Sequence, residues 1–136
     1  MTTPILLRKA TQAALIAAVL NVLVFLIAKI TGVPLQVFQG TIPMDLTALP
    51  VALATLIPAY VAAGVYALAQ RAGSRGVLVF QGIGWVFLLL SFFPVVTMPV
   101  ALATKLVLAL MHTIAGVTIL TLLNARPEAV RTVARS

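Results

Sequence analysis

The sequence has no cysteine and very little charge, and both shortages restrict what the protein can do. Without cysteine there are no disulfides, thiolate metal sites or thiol nucleophiles. Charged residues make up 8% of the 136 residues, whereas a soluble domain carries about 25%. Because hydrophobic residues make up 62%, a water-soluble chain of this composition would expose large apolar patches and aggregate. We therefore predict a single membrane domain over residues 1–136.

Carboxylates are the scarcest charged groups, since the chain contains only Asp45 and Glu128. The predicted topology puts them on opposite sides of a membrane, so they cannot form a catalytic pair. There is also no Ser-His-Asp set and no histidine-rich metal motif. We lean towards a non-enzymatic protein and predict no metal and no cofactor. A six-coordinate haem fits poorly because the only histidine is His112, so a bis-histidine site would need a homodimer.

Long apolar runs are the main feature that the sequence does have. A spanning helix needs about 20 mostly apolar residues, and four runs reach that length. They cover residues 10–30, 47–69, 77–96 and 100–123, and Thr3-Pro4 offers an earlier helix start for the first. The second and third runs are joined by a short turn, which favours antiparallel neighbours. We predict an all-α protein, an integral membrane bundle of four antiparallel up-down transmembrane helices.

The basic residues predict the orientation of this bundle. Four crossings would put seven of the nine on one side of the membrane: Arg8, Lys9, Arg71, Arg75, Arg126, Arg131 and Arg135. Lysine and arginine accumulate in cytoplasmic loops, so both termini are predicted to be cytoplasmic in a multi-pass protein of the inner (plasma) membrane. The basic tail over residues 124–136 suits an anionic leaflet surface. The charges form no clustered basic face, so we expect the lipid bilayer and no nucleic acid as a partner.

Local signals predict where the helices end and bend. Gly32 is suited to the C-cap of the first helix, and Asp45 or Thr47 can cap the second. Pro58 lies in the middle of the second run, where it leaves the Ala54 carbonyl without its usual donor and predicts a kink. Residues 33–46 are predicted to be a loop against the bundle or the bilayer surface, with a weak extended pattern near its start.

Polar residues inside the spans are the best candidates for a functional site, because each has a cost in hydrocarbon. Asn21, Pro58 and His112 fall at one depth, near the middle of three helices. One interpretation is structural: Asn21 and His112 bond each other or the freed Ala54 carbonyl. The other is a polar mid-membrane cavity that binds a ligand, carries protons or holds a cofactor.

Helix faces add detail to these interpretations. Small residues share a face with each polar one, as close helix packing in lipid favours: Ala13 and Ala17 with Asn21, and Ala109 and Gly116 with Lys105 and His112. Lys105 can snorkel to the interface, form an outer-side ion pair with Asp45 or bind an anionic ligand. Gly82 and Gly84 let a neighbouring helix approach, and Trp85, away from the interface, is predicted to pack.

Three segments carry a resemblance to a known type of protein. They are Asn21 in the first helix, the proline-containing second helix ending at Ala69-Gln70-Arg71, and residues 103–112 of the fourth. The chain from about residue 10 to residue 126 resembles small actinobacterial-type four-helix membrane proteins classed as domains of unknown function. The resemblance implies the fold and the location, and it transfers no catalytic residue.

Three classes of function remain open. The leading hypothesis is a non-enzymatic structural or accessory subunit that packs against another membrane protein or forms a homo-oligomer. The alternative is a small-molecule or ion pathway around Asn21, Pro58, Lys105 and His112. The third class is a membrane redox or lipid-processing enzyme.

Overall fold

The computed structural model describes residues 3–124, which form four helices joined by short connections. The helices are α1 (Thr3–Ile30), α2 (Ala48–Ala69), α3 (Gly76–Thr97) and α4 (Leu102–Asn124). A 3₁₀ turn over Gln70–Arg75 joins α2 to α3, and a hairpin of β1 (Gln36–Gln39) and β2 (Ile42–Asp45) joins α1 to α2. The all-α prediction is confirmed. Beyond Asn124, the predicted basic tail lies outside the described residues.

The predicted helix boundaries agree with the structure to within two residues, apart from the start of α1. That helix begins at Thr3, so the earlier of the two predicted starts is the correct one. Pro4 falls in its first turn, where the missing N–H has no helical partner to lose. Pro58 lies inside α2, and the helix continues on both sides of it.

Two glycines with positive φ end helices. At the end of α1, Gly32 has φ 78°. The Gly32 N–H donates to the Lys29 carbonyl at 3.2 Å, and the Val33 N–H donates to the Ala28 carbonyl at 3.0 Å. These two bonds form a Schellman motif, and the predicted C-cap at Gly32 is confirmed. Between α2 and α3, Gly73 adopts φ 62° and ψ −130°, a conformation that reverses the chain and separates the two helices.

The connection over residues 33–46, predicted as a loop, is a short antiparallel hairpin. Gln36 pairs with Asp45 and Gln39 with Ile42, leaving a two-residue turn at Gly40-Thr41. Gly40 has φ 66°, which a two-residue hairpin turn requires at its first position. Strands of four residues are too short for a period-two pattern to predict with any weight, which explains the difference.

The helices alternate in direction. α1 packs against α2 and α4, and α3 packs against the same two helices. One buried cluster contains Leu6 near the start of α1, Tyr66 near the end of α2 and Leu123 at the end of α4. A second cluster joins Phe25 near the end of α1 to Val51 near the start of α2. The first and last described turns of the chain therefore lie at the same end of the molecule.

Three helical stretches of the described chain are long enough and apolar enough to cross a membrane: Thr3–Ile30, Ala48–Thr97 and Leu102–Asn124. The second stretch is α2 and α3 together, and Gly73 breaks it near the middle. At 1.5 Å per residue, α2 or α3 alone is roughly 33 Å long, close to the hydrocarbon thickness of a bilayer. Large apolar side chains are exposed on the outside of all four helices.

Candidate functional site

Asn21 lies in a close contact between α1 and α2 that we call the alanine seam. Buried alanines of these two helices include Ala10, Ala13, Ala14, Ala17, Ala59 and Ala63. The Asn21 side chain is 3% exposed, and its Nδ2 donates to Thr55 Oγ1 at 2.9 Å. The Thr55 hydroxyl donates in turn to the Val51 carbonyl at 2.9 Å. The predicted face that groups Ala13 and Ala17 with Asn21 is confirmed, and Asn21 Oδ1 is buried with no hydrogen-bond partner among residues 3–124.

His112 lies in a different place, on the side of α4 that faces α2 and α3. Its Nδ1 is 2.7 Å from the Leu108 carbonyl, one turn earlier in α4. Its ring lies near Phe92, with centroids 6.2 Å apart. The hydrogen bond between Asn21 and His112, one of the two structural alternatives, is not formed here. Asn21 bonds Thr55 on the facing helix, and His112 bonds a carbonyl of its own helix.

A cavity of about 380 Å³ separates α2, α3 and α4, and we call it the lateral cavity. Its walls include Ala54, Pro58 and Ala62 from α2, Gly84, Phe87 and Ser91 from α3, and His112, Ala115 and Gly116 from α4. Two of the predicted site residues, Pro58 and His112, thus meet at one cavity, whereas Asn21 and Lys105 do not line it. Its lining is almost wholly apolar, unlike the polar cavity of the second interpretation.

Small residues close the cavity along the contact between α3 and α4. A Cβ added at Gly84 would overlap Leu120 Cδ2, and one at Gly116 would come 2.6 Å from Leu88 Cδ1. Each helix therefore inserts a leucine against a glycine of the other, and the antiparallel order repeats this contact one turn along. The close approach predicted at Gly84 is confirmed, whereas Gly82 has nothing within 4 Å of an added Cβ.

Lys105 forms a hydrogen bond with the C-terminal end of α3. Its Nζ donates to the Val96 carbonyl at 2.7 Å, and no ion pair joins it to Asp45 in the described chain. The last carbonyls of a helix have no intrahelical donors and attract a cation, so the ammonium bonds Val96 and not Asp45, which was one of the three alternatives for Lys105. The neighbouring Thr104 hydroxyl donates to the Pro34 carbonyl, and this bond holds the start of α4 against the start of the connection between α1 and α2.

Gln81 and Trp85 form a polar pair on the outer face of α3. The indole Nε1 donates to Gln81 Oε1 at 3.0 Å, across one turn of helix. Trp85 is 45% exposed, so the packing predicted for it is only partial. The Gln81 Nε2 donors have no hydrogen bond within residues 3–124, although the residue lies well inside α3.

Several residues that shape these sites were not predicted from the sequence. Thr55 receives the Asn21 bond, and Thr11 is 3.1 Å from the Tyr60 hydroxyl across the same two helices. Threonine hydroxyls usually bond their own helix, so they carry no distinctive sequence signal. Position along the helix is the one signal for Thr55. It precedes Pro58 by three residues, and Pro58 is predicted to lie at the same depth as Asn21.

Comparison of the sequence with protein-family models assigns the chain to a family. A family model matches residues 1–129 of the chain. The chain belongs to DUF6069, a family of unknown function. The membership in a domain of unknown function that the resemblance implied is thus confirmed. No curated protein and no solved structure matches this DUF6069 chain.

Proposed function

We propose that this DUF6069 protein is a non-enzymatic accessory subunit of the inner membrane that crosses the bilayer four times with both termini in the cytoplasm. Support for the crossings comes from four apolar helices of suitable length. Support for the orientation comes from charge: Arg8 and Lys9 lie at the same end of the molecule as Arg71 and Arg75. A cytoplasmic excess of basic residues would hold that end inside.

The observation that carries the accessory role is the outward-facing pair of Gln81 and Trp85. Trp85 lies roughly 13 Å along α3 from Gly76, near the middle of a crossing. Gln81 is roughly 8 Å along the same helix, inside the apolar span. Its Oε1 accepts from Trp85, which leaves the two amide hydrogens to be satisfied by a group outside the described chain.

A second transmembrane helix can accept hydrogen bonds from the Gln81 amide, whereas lipid acyl chains cannot. Acyl chains offer no acceptor, so an amide that faces hydrocarbon bears a desolvation cost. Glutamine side chains bond across helices within membranes, and such bonds are worth about 1–2 kcal/mol in model peptides. The proposed partner is therefore a membrane helix with an acceptor at the depth of Gln81, from another protein or from a second copy of this chain.

The experiment compares Gln81→Leu with a matched control, Gln12→Leu. Gln12 is an exposed glutamine on α1, a helix whose outer face is assigned no partner. Both tagged variants are extracted gently from their own membrane and weighed intact by native mass spectrometry. We expect the wild type and Gln12→Leu to carry a partner subunit and Gln81→Leu to lose most of it.

Two results would contradict the accessory role. A bare monomer for the wild type under the gentlest extraction is one. Equal retention of the partner by Gln81→Leu and wild type is the other, since it would remove the outer face of α3 from the interface.

The alternative function, a small-molecule or ion pathway, is favoured only in part. The lateral cavity brings together Pro58 and His112, two of its four predicted residues. Asn21 is bonded in the alanine seam and Lys105 at the end of α3, so neither supplies polar groups to that cavity. The cavity supports binding of a small apolar molecule, and ion conduction is not proposed.

A further inference from the structure

The lateral cavity has the size and lining of a ligand site. Its volume of about 380 Å³ falls in the lower part of the range for small-molecule pockets, which are mostly apolar with a few polar groups. Since a water molecule occupies about 30 Å³ in the liquid, the cavity has room for on the order of a dozen non-hydrogen atoms. That is too small for a whole membrane lipid and suits one short hydrocarbon chain or a small ring system.

The polar groups in the lining limit the chemistry of the occupant. A carbonyl can only accept, so the 2.7 Å contact with Leu108 puts the hydrogen on His112 Nδ1. In the uncharged ring, Nε2 then carries a lone pair, and it has no partner among residues 3–124. Ser91 donates its hydroxyl hydrogen to the Leu88 carbonyl at 2.6 Å, so its oxygen too is left as an acceptor.

The backbone carbonyl of Ala54, which Pro58 leaves without a donor, is also an acceptor. Pro58 has no N–H to give to the Ala54 carbonyl, and both residues line the cavity. Every polar lining group whose hydrogen-bonding role can be assigned is therefore an acceptor. An occupant without a donor, such as a lipid acyl chain, would fill the space and leave those acceptors unbonded in an apolar surrounding.

We propose that the lateral cavity binds an apolar alcohol, whose hydroxyl donates to His112 Nε2 and whose hydrocarbon part lies against the walls from α2, α3 and α4. This inference rests on the proposed membrane location, because such a ligand would reach the cavity from the bilayer. It is independent of the partner on the outer face of α3. Binding forms a hydrogen bond and breaks no covalent bond, so no catalytic step is involved.

The test uses two probes that differ in one donor. Dodecanol has a hydroxyl, and methyl undecyl ether has the same number of carbon and oxygen atoms without it. The protein is placed in nanodiscs of phosphatidylcholine, a lipid without hydroxyl groups, and labelled with ¹⁵N-histidine. The chain contains a single histidine, so both ring signals belong to His112.

We expect dodecanol to shift the Nε2 signal in a saturable way, with the ether binding about three- to tenfold more weakly and leaving that signal unmoved. A three- to tenfold ratio corresponds to about 0.65–1.4 kcal/mol, the size of the net contribution of one hydrogen bond. Equal affinity for both probes, or an Nε2 signal that dodecanol does not move, would overturn the proposal.

Two variants distinguish the contribution of the His112 hydrogen bond to binding from that of the cavity volume. His112→Phe keeps the ring and removes the acceptor, so it should bind dodecanol no more tightly than the ether. Ala62→Leu puts a larger side chain into the cavity and should weaken both probes by at least tenfold. Asn21→Leu, in the alanine seam, is the control that should retain wild-type binding.

The remaining outcomes also bear on the proposal. A homodimer that Ala62→Leu abolishes would overturn it, because a helix of a second copy would then fill the cavity. If neither probe binds while the partner is still captured through Gln81, the cavity proposal fails alone. If dodecanol binds and no partner is captured, only the accessory role fails.

Discussion

The two sides of α2 are packed in opposite ways. On one side the alanine seam holds α1 so close that Ala17 and Ala59 are fully buried, and its polar group, Asn21, is bonded to Thr55. On the other side small residues such as Ala62 line an open cavity, and the polar group there, His112, bonds only its own helix. Small side chains therefore have two uses in this protein, close approach of helices and space between them.

Residue type alone therefore does not decide whether small side chains give close helix packing or an open cavity. Alanine permits close packing only when the facing helix can approach. α1 does approach α2, with polar bonds at Thr11–Tyr60 and Asn21–Thr55 along the contact. On the opposite side, the leucine–glycine contacts of α3 with α4 hold α3 against α4, and the space beside α2 remains.

The largest effect is expected from one substitution made on both sides of α2. Ala59→Leu adds three carbons to a fully buried seam position and should lower the free energy of unfolding by about 1–3 kcal/mol. Ala62→Leu adds the same atoms beside the cavity and should be neutral or stabilising by up to about 1 kcal/mol. SDS-induced unfolding in mild detergent measures both, and equal losses would contradict the contrast between the two sides.

The next effect separates two glycines on α3. Gly84→Ala brings a Cβ against the buried tip of Leu120, and we expect a loss of about 1–2 kcal/mol. Gly82→Ala meets open space and should gain about 0.5–1 kcal/mol, since alanine favours the helix. The same unfolding assay applies, and a Gly84→Ala variant as stable as Gly82→Ala would remove the close approach of α3 to α4.

A smaller effect measures how firmly the seam is bonded. A double-mutant cycle of Asn21→Leu and Thr55→Val should give a coupling energy of about 0.6–1.7 kcal/mol, between the average and the maximum for hydrogen bonds between membrane helices. The same cycle between Asn21→Leu and His112→Phe should give a coupling near zero, because these side chains lie on different sides. Significant coupling in the second cycle would restore the predicted Asn21–His112 contact.

The smallest effect concerns the ends of the helices. Lys105→Met keeps the apolar stem, removes the donor to the Val96 carbonyl and should cost about 0.5–1 kcal/mol. Asp45→Asn removes the carboxylate that the sequence suggested as the partner, and it should leave the unfolding free energy unchanged. Matching losses in the two variants would indicate that the ion pair forms in the membrane after all.

Sequence reasoning predicted the helices well and their contacts poorly. Length and hydropathy predict a spanning helix directly, so the boundaries of α2, α3 and α4 were accurate. Contacts depend on how each helix is rotated about its axis, which one sequence does not specify. Asn21 and His112 are matched in depth, yet Asn21 packs between α1 and α2 whereas His112 lines the cavity between α2, α3 and α4. Lys105 bonds a carbonyl at the end of α3, a contact that composition does not predict.

Cysteine labelling is the direct test of the proposed topology, in which this bundle crosses a bilayer four times with its basic end in the cytoplasm. The chain has no native cysteine, so Ser74→Cys and Gln39→Cys each introduce one thiol at an exposed position, in the α2–α3 turn and in the hairpin. A membrane-impermeant maleimide added to intact cells should label position 39 and spare position 74 until the membrane is opened. Labelling of both positions in intact cells, or of position 74 alone, would contradict the proposed topology.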